Sequence, residues 1–305
     1  MDIKQYLIEF GASLVSSEWQ WNYVLLNMAV IFVALSLFKY KLAWITGVPF
    51  NDELAKKDNP AFGYVVGGAF FSFFLVMAGV SSGEGASDMM TELKLMIAFA
   101  LSGMVMLLLS RFVLDKISMK DFCLTEQIKE QNKAAGIVDA CNMIATAIII
   151  FTYMSWVKGD SFENIKYVAY GWFVSQILLS GLSFIRAKMF KAEDGSTLQD
   201  NIKSGNVAVA IRYSCYKIAF AMAMYTTSYH YEYSEEYTWW YAQSIILAGI
   251  ILSAVIKLGT FIAKKIILLS IDFRSEINDQ NNTGLAVIEG LIVIGMTILI
   301  FNNLR

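Results

Sequence analysis

Histidine, cysteine, proline and charge are all scarce in this chain. Of its 305 residues one is histidine, three are cysteine and two are proline, while 16% are charged and 57% hydrophobic. With His230 alone, histidine-rich metal sites and most histidine-based acid–base triads are excluded. Cys123, Cys141 and Cys215 are too scattered for a Cys-x-x-Cys clip, and the latter two lie in apolar stretches where cysteine acts as a small buried hydrophobe. No Ser–His–Asp, Cys–His or metal-ligand pattern stands out, so no enzyme, metal or cofactor is expected. A net charge of −2, from 24 basic and 26 acidic residues without a basic run, gives no reason to expect a nucleic-acid partner. Soluble domains carry about a quarter charged residues. The deficit here points to a surface that faces lipid.

Apolar windows of about 20 residues, the length that crosses roughly 30 Å of hydrocarbon, recur eight times. They fall at approximately 20–39, 60–80, 93–114, 133–156, 163–186, 206–228, 239–263 and 283–302. The expected fold is an all-α integral membrane protein, a single domain over 1–305 with eight transmembrane helices. Before the first span, Ile3, Leu7, Phe10 and Leu14 fall at helical spacing without an early basic cluster, which suggests an interfacial helix over 1–18 rather than a signal peptide. Most basic residues sit in the loops that follow odd-numbered spans, from Lys39, Lys41, Lys56 and Lys57 in the first to Lys264, Lys265 and Arg274 in the last. Arg111 and Arg186 count with these loops. Cytoplasmic loops are enriched in Lys and Arg, so both termini are expected on the periplasmic or exterior side of a bacterial inner membrane. The acidic, aromatic turn over 229–240 suits that outer side, with Trp239 and Trp240 in an aromatic belt.

Self-comparison of the chain shows a four-fold repeat. The copies read ELAKKDNPAFG from Glu53, EQIKEQNKAAG from Glu126, DNIKSGNVAVA from Asp200 and EINDQNNTGLA from Glu276. In each, the acidic residue precedes an asparagine by six positions, and Asn59, Asn132, Asn206 and Asn282 are 73, 74 and 76 residues apart. This predicts four tandem, parallel two-helix hairpins, approximately 19–82, 92–157, 162–229 and 238–303. Small residues follow each asparagine four and eight positions on: Gly63 and Gly67, Gly136 and Ala140, Ala210 and Ser214, Ala286 and Gly290. Position plus two is small as well, as Ala61, Ala134, Ala208 and Gly284. Small residues let helices approach closely in lipid, so the even spans are expected inside and the odd spans outside. Each asparagine reads as an N-cap, with Pro60 at a first helical position, and the alternative is a ligand or ion contact. The acidic residue would complement the helix dipole or pair with loop lysines.

At this motif the sequence resembles the bacterial membrane family catalogued as domain of unknown function 350, the YjfL-like proteins. These are built from the same two-span unit, and NIKSGNVAVAIR at 201–212 is the copy nearest to the family pattern. The fourth copy has Asn-Asn where Gly-Asn is usual. The resemblance implies an inner-membrane location and an association with envelope stress or membrane maintenance. It supplies no catalytic residues to carry over.

Ionisable groups within spans are costly and mark pathways or buried pairs. Seven residues after the asparagines stand Val66, Asp139, Tyr213 and Glu289, and Lys217 shares the helical face of Tyr213. If the even helices surround a pseudo-four-fold centre, Asp139, Tyr213, Lys217 and Glu289 converge there as a polar site, or as a static ion pair that orders the bundle. Arg212 is expected to face elsewhere and snorkel, as is Lys257. Asn27, Asn142 and Gln176 are expected to bond between helices. The first functional reading is a non-enzymatic scaffold or sensor that contacts cytoplasmic or membrane protein partners, alongside the lipid bilayer itself. The alternative is a channel or transporter for a cation, proton or small solute. Oligomeric state is not legible.

Overall fold

The computed structural model describes residues 3, 5, 21–82, 88–157, 161–234, 236–269 and 271–304, and all regular structure among them is helical. The interfacial helix expected over 1–18 lies almost wholly outside the described residues. Eight helices are long and apolar enough to cross a membrane. They are α1 (Trp21–Thr46), α2 (Pro60–Val80), α3 (Met89–Val113), α4 (Lys133–Trp156), α5 (Ile165–Met189), α6 (Val207–Ser228), α7 (Thr238–Ile267) and α8 (Thr283–Leu304). All eight expected spans are present. Helix α3 starts earlier than hydropathy suggests because the Asp88 side chain caps it, accepting from the Met90 and Thr91 N–H groups at 3.0 and 2.9 Å.

The helices form two layers. The even helices pack in the order α2, α4, α6, α8, and the odd helices lie against them in the order α1, α3, α5, α7. Glycine sets the closeness of the even row. A Cβ on Gly68 would stand 2.6 Å from that of Ala140, one on Gly136 would stand 2.5 Å from the Ala61 carbonyl oxygen, and one on Gly290 2.5 Å from Cys215 Sγ. Among the described residues α2 and α8 are not substantial neighbours, so the row is open. This corrects the expected four-fold centre. Sequence periodicity shows which face of each even helix is smooth, yet a row and a ring use the same smooth face. Within the row, α4 is the most buried span, while α8 at the end is buried no more than α5 in the outer layer.

At one end of the bundle, called the basic end here, the four loops share one construction. Each asparagine caps its helix: the side-chain oxygens of Asn59, Asn132, Asn206 and Asn282 accept from Phe62, Ala135, Val209 and Leu285 N–H at 3.0, 3.2, 2.9 and 3.0 Å. The side-chain amides then tie one repeat to the next. Asn59 donates to the Ile128 carbonyl at 2.9 Å, Asn132 to the Ile202 and Lys203 carbonyls at 2.9 Å, and Asn206 to the Ile277 and Asn278 carbonyls at 3.3 and 3.1 Å. Asn282 donates back to Glu276 at 2.9 Å.

The residue before each asparagine, Asp58, Gln131, Gly205 or Asn281, has φ of 47°, 64°, 89° or 54°. That left-handed turn explains a preference for Gly or Asn there. The acidic residue six positions before the asparagine behaves uniformly only where the loop winds as a π-helix, at Asp52–Lys56 and Ser275–Asp279. There Glu53 and Glu276 accept from the asparagine amide. Where the loop is a short α-helix, Leu124–Lys129 or Leu198–Lys203, the register is one residue shorter and Gln127 or Asn201 takes that role, while Asp200 closes a capping box with Thr197.

Candidate functional site

A helix rises 1.5 Å per residue, so a side chain seven positions past the cap lies about 10 Å into the bundle from the basic end. Asp139 sits there on α4, fully buried, and its Oδ2 accepts from Arg111 Nε at 2.8 Å. Arg111, in the last turn of α3 and 4% exposed, also donates to Thr125 Oγ1 at 3.2 Å. Asp139 Oδ1 has no hydrogen-bond partner among the described residues.

At this depth and one turn deeper, polar groups bridge four more pairs of helices. Asn142 donates to the Ser110 carbonyl at 3.4 Å and its oxygen accepts from Lys217 Nζ at 2.8 Å. Trp172 donates to Ser110 Oγ at 2.8 Å, and Gln176 reaches Thr146 at 3.5 Å. Tyr213, under the Lys217 amino group, shares a 2.6 Å hydrogen bond with Ser183. The amide of Asn142 thus holds the buried Lys217 amino group where a carboxylate was expected.

Glu289 belongs to a second cluster. On α8 it is fully buried and accepts from Lys264 Nζ at 2.7 Å and from the Tyr216 hydroxyl at 3.0 Å. Arg212 Nε lies 3.1 Å from its other oxygen, as an ion pair not aligned for a hydrogen bond.

The expected convergence of Asp139, Tyr213, Lys217 and Glu289 therefore separates into two clusters. Asp139 meets Arg111 between α3 and α4. Tyr213 and Lys217 face α5 and α4 through Ser183 and Asn142, and Glu289 gathers cations from α6 and α7. Arg212 pairs with Glu289 through Nε while its Nη1 donates to Asn278 in the basic-end loop at 3.4 Å, so it turns inward at its root and reaches the basic end at its tip. Arg111 and Lys264, read as loop residues in the sequence, prove to be the main counter-ions. A usable signal was present, because a carboxylate buried about 10 Å deep needs a cation at equal depth, and the last turns of α3 and α7 supply one.

Of the packing residues, Gly136, Ala140 and Gly290 lie in close helix contacts, whereas Gly67 has nothing within 4 Å of a Cβ and Gly63 meets only Leu54 at 3.9 Å. The three cysteines are free, and no group of three His, Cys, Asp or Glu that could hold a metal occurs among the described residues.

Comparison with known proteins returns no match among curated proteins and none among solved structures. The family model described as Domain of Unknown Function (DUF350) matches three times, over residues 13–154, 88–227 and 160–303. Each match covers two hairpins and the next begins one hairpin later, in step with the asparagine motif. The chain belongs to this family of multi-pass membrane proteins.

Proposed function

We propose that this protein is a non-enzymatic component of a bacterial inner membrane, a scaffold or sensor in envelope maintenance or stress response that works through contacts with partner helices. Its basic end faces the cytoplasm and its termini face outward, as the loop charges favour. The observation that carries the reading is the open end of the even row. At the α2–α4 and α6–α8 junctions, residues two and nine after one asparagine receive the small residues four and eight after the next. Ala61 lies against Gly136, Gly68 against Ala140 and Cys215 against Gly290. On α2 the same small stripe meets only the loop residue Leu54 at Gly63 and nothing within 4 Å of a Cβ at Gly67, so no membrane-spanning helix covers it among the described residues. At the other end of the row, the residue nine after Asn282 is Leu291, which is 64% exposed. The partner that fits is a second copy placed head to tail, with Leu291 of one over Gly67 of the next. Such a contact is heterologous and continues as a row or closes as a ring.

The test is disulfide cross-linking in native membranes between Gly67→Cys and Leu291→Cys, with the three native cysteines changed to alanine. A ladder of covalent dimers and higher species is expected from the pair, and none from either cysteine at low oxidant. A pair that stays monomeric, with light scattering also reporting one copy per particle, overturns the reading.

A second reading, ion or proton transport, is favoured by the buried Asp139 oxygen that has no hydrogen-bond partner among the described residues. Proteoliposome flux of protons and monovalent cations, compared with Asp139→Asn, Lys217→Met and Glu289→Gln, decides it. Flux lost in folded variants supports transport, and no flux from the native chain removes it.

A further inference from the structure

Every odd helix carries a cation 18 to 21 residues ahead of its repeat's asparagine: Lys39, Arg111, Arg186 and Lys264. Seven residues beyond the asparagine stand Val66, Asp139, Tyr213 and Glu289. In the second and fourth repeats the cation meets that carboxylate, Arg111 on Asp139 at 2.8 Å and Lys264 on Glu289 at 2.7 Å. In the third repeat Tyr213 stands in the carboxylate's place, with its hydroxyl engaged by Ser183. Arg186 is left over the Tyr216 ring, 4.2 Å from the centroid, with no carboxylate against it among the described residues. Contact with an aromatic face offsets only part of the cost of taking a cation out of water.

Arg186 borders a cavity of about 260 Å³ at the basic end, also lined by Lys191, Arg212, Lys257 and Arg274. No Asp or Glu lines it among the described residues, and of these five cations only Arg212 is paired with a carboxylate there. Tyr213 and Asn278 add polar groups to the wall. A narrower cleft of about 70 Å³ begins at the same Arg186, Met189, Tyr216 and Lys257 and continues against Phe220 and Val293, almost wholly apolar. Cations gathered at a membrane end, beside an apolar slot between helices, match the two halves of a charged lipid.

We propose that this cavity binds a phosphate-bearing anion, and that the anion is the headgroup of an anionic phospholipid whose first acyl carbons enter the cleft. The phosphate supplies the charge that Asp139 and Glu289 supply in their own repeats. Guanidinium groups suit it because their planar N–H donors match phosphate oxygens in pairs. The apolar cleft selects the lipid over free phosphate, since only the lipid gains by filling it. This site is separate from the open face of α2 and stands whether or not the chain self-associates.

The test uses the full-length protein in neutral detergent, titrated with phosphatidylglycerol, phosphatidylcholine or inorganic phosphate, and read by native mass spectrometry and thermal unfolding. Phosphatidylglycerol is expected to bind and raise the unfolding temperature, while phosphatidylcholine does neither. Arg186→Gln and Lys257→Gln should each weaken binding about fivefold. Arg186→Lys, which keeps the charge and loses the paired donors, should weaken binding less than Arg186→Gln, and the exposed Lys188→Gln should leave it unchanged. Lys257 is exposed, so its variant carries the test if Arg186→Gln fails to fold. Equal binding of the two lipids, or no effect of Lys257→Gln, overturns the proposal. Inorganic phosphate that binds as tightly as phosphatidylglycerol, with the same dependence on the variants, overturns the lipid assignment.

Discussion

Removing the charge of Asp139 while leaving Arg111 in place is the sharpest perturbation the bundle offers. The pair meets through one hydrogen bond of 2.8 Å, with the arginine side chain 5% and the aspartate 0% exposed. Each charge left water to enter the bundle, and the other is its principal compensation. Asp139→Asn strands the guanidinium with Thr125 as its remaining polar side-chain contact. Losing one partner of such a buried pair costs about 3–5 kcal/mol. Replacing both, as Arg111→Leu with Asp139→Leu, removes the desolvation burden together with the attraction, and is expected to cost less than either single change. Equilibrium unfolding in mixed micelles, run on all four corners of the cycle, gives the coupling directly. A coupling below about 1 kcal/mol, the level of an exposed pair, or a double variant as unstable as the sum of the singles, refutes the claim that these charges order the bundle.

Asn132→Ala deletes a cap and two bonds to the next repeat, so it should cost about 2–4 kcal/mol, whereas Asn282→Ala, which caps its own helix and bonds only within its loop, should cost about 1; the same micelle unfolding ranks them. Gln131→Gly relieves a left-handed backbone at φ 64° and should stabilise by about 0.5–1 kcal/mol, seen as a higher unfolding temperature. The hydrogen bond from Lys57, aided by that from Asn59, holds the Glu53 carboxyl below the ordinary glutamate value of 4.5. A folded value below the unfolded one contributes stability that is fully present above the unfolded value and is lost as pH falls through the folded value. Glu53→Gln should therefore flatten the acid limb of a stability–pH profile below about pH 4.5 and leave the limb at higher pH unchanged.

Much of the fold was legible because lipid imposes strong constraints on a sequence. Eight apolar windows, the capping asparagines and the small residues at plus four and plus eight all act locally, so their spacing alone reveals them. What the sequence left open lies in relations between helices. Gly136 and Gly290 show that a smooth face exists without showing whether the last even helix returns to the first. The charged clusters were misassigned for a related reason. Arg111 and Lys264 lie in the last turn of long helices, where a linear reading counts them as loop bases, and only the packing brings them level with Asp139 and Glu289. The mixed roles of Glu53, Glu126, Asp200 and Glu276 were hidden because a π-turn and an α-turn differ by one residue in register.

The four repeats share a backbone plan, yet the position seven past each cap holds Val66, Asp139, Tyr213 and Glu289, so their chemistry diverges at one point of the helix. If a carboxylate there serves to neutralise the cation of the same repeat's odd helix, placing one in the third repeat should satisfy Arg186 from within. Tyr213→Glu makes that change. The tyrosine is 1% exposed and bonded to Ser183, so some stability is lost with its ring. The new carboxylate faces the cavity that Arg186 and Arg212 line, and it should occupy the place assigned to the phosphate. The expected result is a folded protein that no longer binds phosphatidylglycerol, whereas Tyr213→Gln, of like size but neutral, loses similar stability and still binds. Binding that survives Tyr213→Glu in a folded protein would show that the cations of the third repeat do not act as the counterpart of Arg111 and Lys264. The repeat rule would then hold only for the two pairs where the carboxylate is already built in.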